Sequence, residues 1–207
     1  MNKSKYRVYN GKSFKKIIEN FGIFALITMF IVGIIIGAAT IKSNSEINDK
    51  ISILFNNYSS LRVEQGILKN FLNSLAVNGL FVIFNVFFGF SLIGYPFVAL
   101  IPLIKGLGLG TICGYLYSTY KLTGLGYSIT MIYPGAILSS LAIILACNDS
   151  CRYSKNAYLK AIKGAGQFEK DETQLFLTRQ LIFLGMCIPS SGIDALFCEL
   201  FSSFFKL

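Results

Sequence analysis

Thirty-five consecutive residues, Asn70 to Ile104, carry no charge. A helix crosses the ~30 Å hydrocarbon core of a bilayer in about 20 residues, so this run is too long for one span and needs a turn inside it. Ser91-Leu-Ile-Gly94-Tyr-Pro96 supplies one, because Gly94 permits a tight bend and Pro96 disfavours helix at Tyr95. A second uncharged run, Phe21 to Ile41, is 21 residues long. Charged residues make up only 14% of the 207 and apolar ones 54%, with mean hydropathy +0.60. A soluble domain of this length needs a larger charged shell. The surplus apolar surface must face lipid, which excludes a soluble enzyme, a secreted disulfide scaffold and a disordered chain.

The expected fold is therefore an all-α, polytopic membrane bundle of about five transmembrane helices in one domain, 1–207. Its parts are a basic cytoplasmic segment (1–20), span 1 (21–41), an outer loop (42–70), span 2 (71–90), span 3 (97–117), span 4 (125–147), a cytoplasmic loop (149–179) and span 5 (180–200). Span 1 has a signal peptide as its rival reading. Its length, the extended basic segment before it and the poor cleavage site at Gly37-Ala38-Ala39-Thr40 favour a retained helix. Lys121 and Gly124-Leu-Gly126 mark the outer turn between spans 3 and 4. Span 5 is interrupted by Pro189-Ser-Ser-Gly192 and carries Asp194 and Glu199. Lys and Arg outnumber Asp and Glu by 19 to 10, and 12 of the 19 fall in 1–20 and 149–179. That bias places both segments in the cytoplasm and against anionic lipid. It explains the net charge of +9 by membrane orientation in place of nucleic-acid binding.

The chemistry available is narrow. Histidine is absent, which removes His-based triads, His-ligated zinc and HExxH proteolysis together. Cys147 and Cys151 stand four apart with no matching pair elsewhere, a weak metal signal, and the outer loop has no cysteine to build a disulfide. No catalytic residue, metal or cofactor is expected. Lys105 is the most informative residue: an ammonium eight residues into span 3 costs about 2.5–3.5 kcal/mol on insertion scales. Either it faces the bundle interior or it snorkels to the interface. Asp194, the one acid well inside a span, is its candidate partner in a buried ion pair.

Gly106, Gly110 and Gly114 recur at four-residue spacing on span 3, as Gly33 and Gly37 do on span 1. Small residues so spaced let helices approach closely. Packing within the chain is one use of such a face; homo-oligomer or partner contact is the other. In the outer loop Ile47, Ile51, Leu54, Phe55 and Tyr58 recur at helical spacing. This stripe either lies on the membrane or the bundle, or offers a docking face to an extracytoplasmic partner. Tyr115, Tyr117, Tyr120 and Tyr127 bracket the outer turn in the manner of an interfacial aromatic belt.

The block from Ser91 to Leu116 resembles the stage II sporulation protein M family: a small-Ile-Gly-x-Pro turn, an apolar run, a Lys-Gly pair and then glycines. The matching positions are Gly94, Pro96, Lys105, Gly106, Gly110 and Gly114. Asp194 stands where family members often have glutamate in the last span, and Pro134 where they have a proline in the fourth. The polar residues that often follow that proline are here Gly135-Ala136. The resemblance implies a non-enzymatic membrane scaffold of the engulfment machinery in an endospore-forming bacterium, at the septal and engulfing cell membrane. Its expected partners are the peptidoglycan-degrading stage II sporulation proteins D and P. A small transporter or channel using Lys105 and Asp194 is the alternative reading, since discontinuous helices often line substrate sites.

The charge bias makes a direct prediction about orientation. A cysteine placed at Ser59 should react with a membrane-impermeant maleimide added to intact cells, and one at Asn156 should not; the reverse pattern would overturn the assignment.

Overall fold

The computed structural model describes residues 3–43, 50–55, 57, 61–62, 65–163 and 170–201. Those residues are almost wholly helical, with no strand among them. In chain order they are α1 (Lys3–Ser43), a short helical stretch at 50–55, α2 (Gly66–Phe90), α3 (Gly94–Tyr127), a π-helical turn (Ser128–Ile132), α4 (Tyr133–Lys163) and α5 (Lys170–Phe201). With no water to satisfy them, backbone N–H and C=O groups in a bilayer must pair inside their own segment, which is why apolar runs here become helices.

Four stretches are long and apolar enough to cross a membrane: Gly22–Lys42, Gly66–Phe90, Gly94–Ile162 and Asp171–Leu200. The third counts 69 residues, and a straight helix of that length would measure roughly 100 Å. It folds back instead. Lys121 leaves the helical region (φ 51°, ψ −122°), and Gly124 packs against the Leu116 carbonyl where a side chain has no room. The returning helix passes beside the start of α3, where Ser154 Oγ donates to the Ser91 carbonyl at 2.8 Å. Past the fold-back, Pro134 can neither donate to nor tolerate the carbonyl four residues back, and the chain takes up the misfit as the π-helical turn just before it.

Gly94 sits in the α2–α3 turn, its N–H bonded to the Ser91 carbonyl at 3.1 Å, and a Cβ there would overlap the Phe88 carbonyl. Pro96 lies in the first turn of α3, where backbone N–H groups have no helical acceptor, and its ring is exposed. "Exposed" means uncovered by protein, so lipid-facing positions are included.

Two expectations about the last third of the chain need correction. Pro189 does not interrupt the final helix; α5 runs through it as one piece, since membrane helices re-satisfy the freed carbonyl locally. Much of 149–179 is not loop either. α4 continues to Lys163 and α5 starts at Lys170, and the extensions pair through stacked Tyr153 and Phe176, 4.4 Å between ring centres, and through Lys160 with Glu172.

The glycine faces are spent inside the chain. α1 lies along α3, the most extensive helix pair in the molecule. A Cβ on Gly33 or Gly37 would overlap the carbonyls of Leu103 and Leu107, and one on Gly106 or Gly110 those of Phe30 and Ile34. Gly114 completes the seam against the Ala38 Cα. Backbone meets backbone along three turns of helix, so this surface is not free for a second copy or a partner. The other side of the bundle is built from α2, α4 and α5.

Gly110→Leu should therefore cost about 3 kcal/mol, the upper end for overpacking. Gly185→Leu, where an added side chain meets open space, should be near neutral. Thermal unfolding in detergent, read by size-exclusion chromatography, separates the two; equal tolerance would refute the seam.

Candidate functional site

One face of α2 is polar inside an apolar helix. Asn70, Ser74, Asn78 and Asn85 fall within about 80° of arc at 100° per residue, and all point into the bundle. A side-chain amide cannot face lipid cheaply, so this stripe turns α2 inward toward α5.

At one end of the stripe lies a charged cluster. Arg62 reaches the Asp194 carboxylate with its Nη2 2.7 Å from Oδ2, and Ser74 donates a short hydrogen bond to the same oxygen. Asn70 Nδ2 donates to the Arg62 carbonyl at 2.6 Å, holding the strap from which the arginine comes. Asp194 projects from α5 at the level of Gly135 on α4, whose missing side chain allows the approach: a Cβ there would lie 2.7 Å from the Asp194 Cβ. Ser190 Oγ, one turn away, donates to the Gly135 carbonyl at 2.8 Å. Gly135 is thus part of the site. A polar side chain at this position would collide with Asp194.

Below this cluster, toward the middle of α3, Lys105 donates from Nζ to Asn78 Oδ1 at 2.8 Å and lies over the Phe81 ring, 5.2 Å from its centroid. Both are neutral stabilisers of an ammonium, the second through the ring quadrupole. Lys105 and Asp194 line one half-open cavity of about 320 Å³, together with Arg62, Ser74, Asn78 and Tyr127. They do not form the ion pair expected from the sequence. Arg62 holds Asp194 instead, and the interior reading of Lys105 is the one realised.

The cavity ends on a packed layer of Val82, Ala142 and Cys187. Beyond that layer comes a second polar network, in which Asn85 Nδ2 donates to Gln180 Oε1 at 3.2 Å and Gln180 Nε2 donates to Ser150 Oγ and the Ala146 carbonyl. Asn85 is completely buried. It locks α2, α4 and α5 at the far end from Asp194.

The stripe of the outer segment divides. Ile47 and Tyr58 lie outside the described residues. Phe55 is only 6% exposed and packs on Tyr115 and Tyr127, ring centres 5.3 and 6.1 Å away, with Ile51 against the same cluster. These two side chains are anchors into the chain's own bundle and not a docking face. Leu54 is 67% and Ile53 62% exposed on the opposite side. The tyrosine belt divides likewise, with Tyr115 and Tyr127 buried and Tyr117 exposed. All five cysteines are free thiols, and Cys147 and Cys151 belong to an apolar cluster with Leu26, Val98 and Ile101. No group of three potential metal ligands occurs among the described residues.

Fold and cluster together define a polytopic helical membrane protein with a charged, half-open cavity inside its bundle. No curated protein and no solved structure matches the chain. Residues 26–198, which contain the glycine seam, Lys105 and Asp194, match the family described as stage II sporulation protein M, and the chain belongs to that family. It is a sporulation-related membrane protein.

Sequence reasoning overlooked Arg62 and the α2 stripe. The stripe had a signal: asparagine and serine four residues apart, in a run otherwise fit for lipid. Arg62 had none, since its partner lies 132 residues away.

Removing either end of the Arg62–Asp194 pair leaves a buried charge. Arg62→Met and Asp194→Asn should each destabilise by about 3 kcal/mol, and the double variant by clearly less than the sum. The same cycle with Lys105→Met in place of Arg62→Met should show the smaller coupling. Denaturation in mixed micelles measures both, and strict additivity for Arg62 with Asp194 would sink the pair.

Proposed function

We propose that this chain is a non-catalytic membrane anchor. It would hold peptidoglycan-degrading partners, stage II sporulation proteins D and P, at the septal and engulfing membrane. In this reading residues 42–70 face outward, where wall enzymes work, and the basic segments 1–20 and 149–179 stay in the cytoplasm. Family membership supports the setting.

The observation that carries the anchoring role is the way the outer segment is held. Phe55 is sunk among tyrosines and Arg62 is tied to Asp194, so the segment is fixed at two points to the bundle. Between Ile51 and Phe55, which both pack inward on the same cluster, Ile53 and Leu54 are left uncovered. A short helix fixed at both ends presents its exposed apolar side chains with little ordering cost on binding, which favours it as a partner surface. The glycine seam adds rigidity but no contact surface, because α1 already fills it.

The conduit reading draws on the cavity between Arg62, Asp194 and Lys105. Against it stands the packed layer of Val82, Ala142 and Cys187, which closes the cavity toward the other end of α2.

The test is a pair of charge substitutions. Ile53→Glu with Leu54→Lys should leave membrane level and unfolding temperature unchanged, yet abolish co-purification of the two partners and arrest engulfment. Phe55→Glu should lower the membrane level itself, since it buries a carboxylate among rings. Normal engulfment in the Ile53/Leu54 variant, together with undiminished co-purification, would refute the anchoring surface.

A further inference from the structure

Charges do not balance in the cavity. Among the described residues that line it, Arg62 and Lys105 are cations and Asp194 is the one anion. Arg62 and Ser74 already engage Asp194. The direct contacts of Lys105 are neutral, the Asn78 carbonyl oxygen and the Phe81 face, and Asp194 attracts it only through space, without a salt bridge. An ammonium has three N–H donors, and one of these is used among the described residues. Asn78 is 6% exposed and turns its oxygen to Lys105, so its Nδ2 is a second donor with no acceptor there. Two donors from two helices therefore converge on one space, one of them charged and neither in contact with an anion. Holding a cation at such depth is costly, and a group that accepts hydrogen bonds and carries negative charge would relieve both deficits.

The walls specify the rest of such a ligand. Apart from Lys105, Asn78 and the hydroxyls of Ser139 and Ser190, which already donate to backbone carbonyls, that end of the cavity is apolar, with Val77 and Phe81 from α2 and Ile104 and Leu109 from α3. Val77, Ile104 and Gly108 are also exposed, so the cavity opens sideways between α2 and α3 toward the hydrocarbon. Gly108 marks the gap. A Cβ there would touch nothing, whereas Gly106 and Gly110 on the other face of the helix are closed against α1. A volume of about 320 Å³ is at the small end for ligand sites. A free hydrated anion would have to shed its water against these apolar walls; an amphiphile would not, since its chains leave through the gap.

We propose that this cavity binds the anionic phosphate headgroup of a membrane lipid, with the phosphate against Lys105 and Asn78 and the acyl chains emerging between Val77 and Ile104. Basic pockets between membrane helices serve anionic headgroups by this same combination of cation and lateral opening. The proposal is separate from the anchoring role, since it needs no partner protein and its test reads lipid binding, although Phe55 and Arg62, which tether the outer segment, line the same cavity.

The full chain, purified and delipidated in a non-ionic detergent, can be titrated in native mass spectrometry with phosphatidylglycerol, phosphatidylcholine and inorganic phosphate. Phosphatidylglycerol should bind about tenfold more tightly than the zwitterionic lipid. Lys105→Gln, which keeps a hydrogen-bond donor but loses the charge, should erase that preference. Gly108→Leu should weaken phosphatidylglycerol about tenfold by filling the gap, with no change in unfolding temperature. If Lys105→Gln fails to fold, Gly108→Leu decides alone. Equal binding of the two lipids by the unaltered chain, or a preference that survives Gly108→Leu, would overturn the proposal. Displacement of phosphatidylglycerol by millimolar inorganic phosphate would assign the cavity to a free anion and overturn the lipid as its source.

Discussion

The Asp194 carboxylate is the point on which the bundle's arrangement turns. A carboxylate inside a membrane helix needs a cation and hydrogen-bond donors, because the surrounding medium provides neither. Arg62 and Ser74 meet that need, and in doing so they join the outer segment and α2 to α5. Gly135 lets α4 come against the same spot. Four parts of the chain thus meet at one side chain, and the strap that brings Arg62 also brings Phe55 down onto Tyr115 and Tyr127.

The glycine seam does complementary work. In lipid, apolar side chains gain little by burial against one another, so helices associate through close packing of backbones. Gly106 and Gly110 lock one face of α3 to α1, and that choice leaves Lys105 and Gly108 on the side toward α2. Close packing and the polar cavity therefore share a helix by using different faces. A residue two positions away, Gly108 beside Gly110, has open space where its neighbour has backbone contact.

The irregular backbone sits where the polar cavity needs it. Lys121 turns the chain, Pro134 follows a π-helical turn, and Tyr127 and Ile132 from that stretch line the cavity. Widened turns of this kind commonly re-aim side chains at functional sites. By contrast, the far end of the bundle is regular and closed by Asn85, Gln180 and Ser150.

Much of the architecture was legible in the sequence. Uncharged runs of 21 and 35 residues force membrane helices, and the Gly94–Pro96 turn, the four-residue glycine spacing and the Lys-Gly pair identify the central block. Periodicity within one helix is a local property, and lipid makes it nearly obligatory. What each face meets is not local. The sequence alone could not choose between Arg62 and Lys105 as partner of Asp194, nor tell that Ile51 and Phe55 turn inward while Ile53 and Leu54 turn out. It marked the glycines but not their use within the chain. Those outcomes depend on helix rotation and depth, which are set by contacts between residues sixty or more positions apart. Only the assembled bundle, balancing buried charge against close backbone packing, decides them.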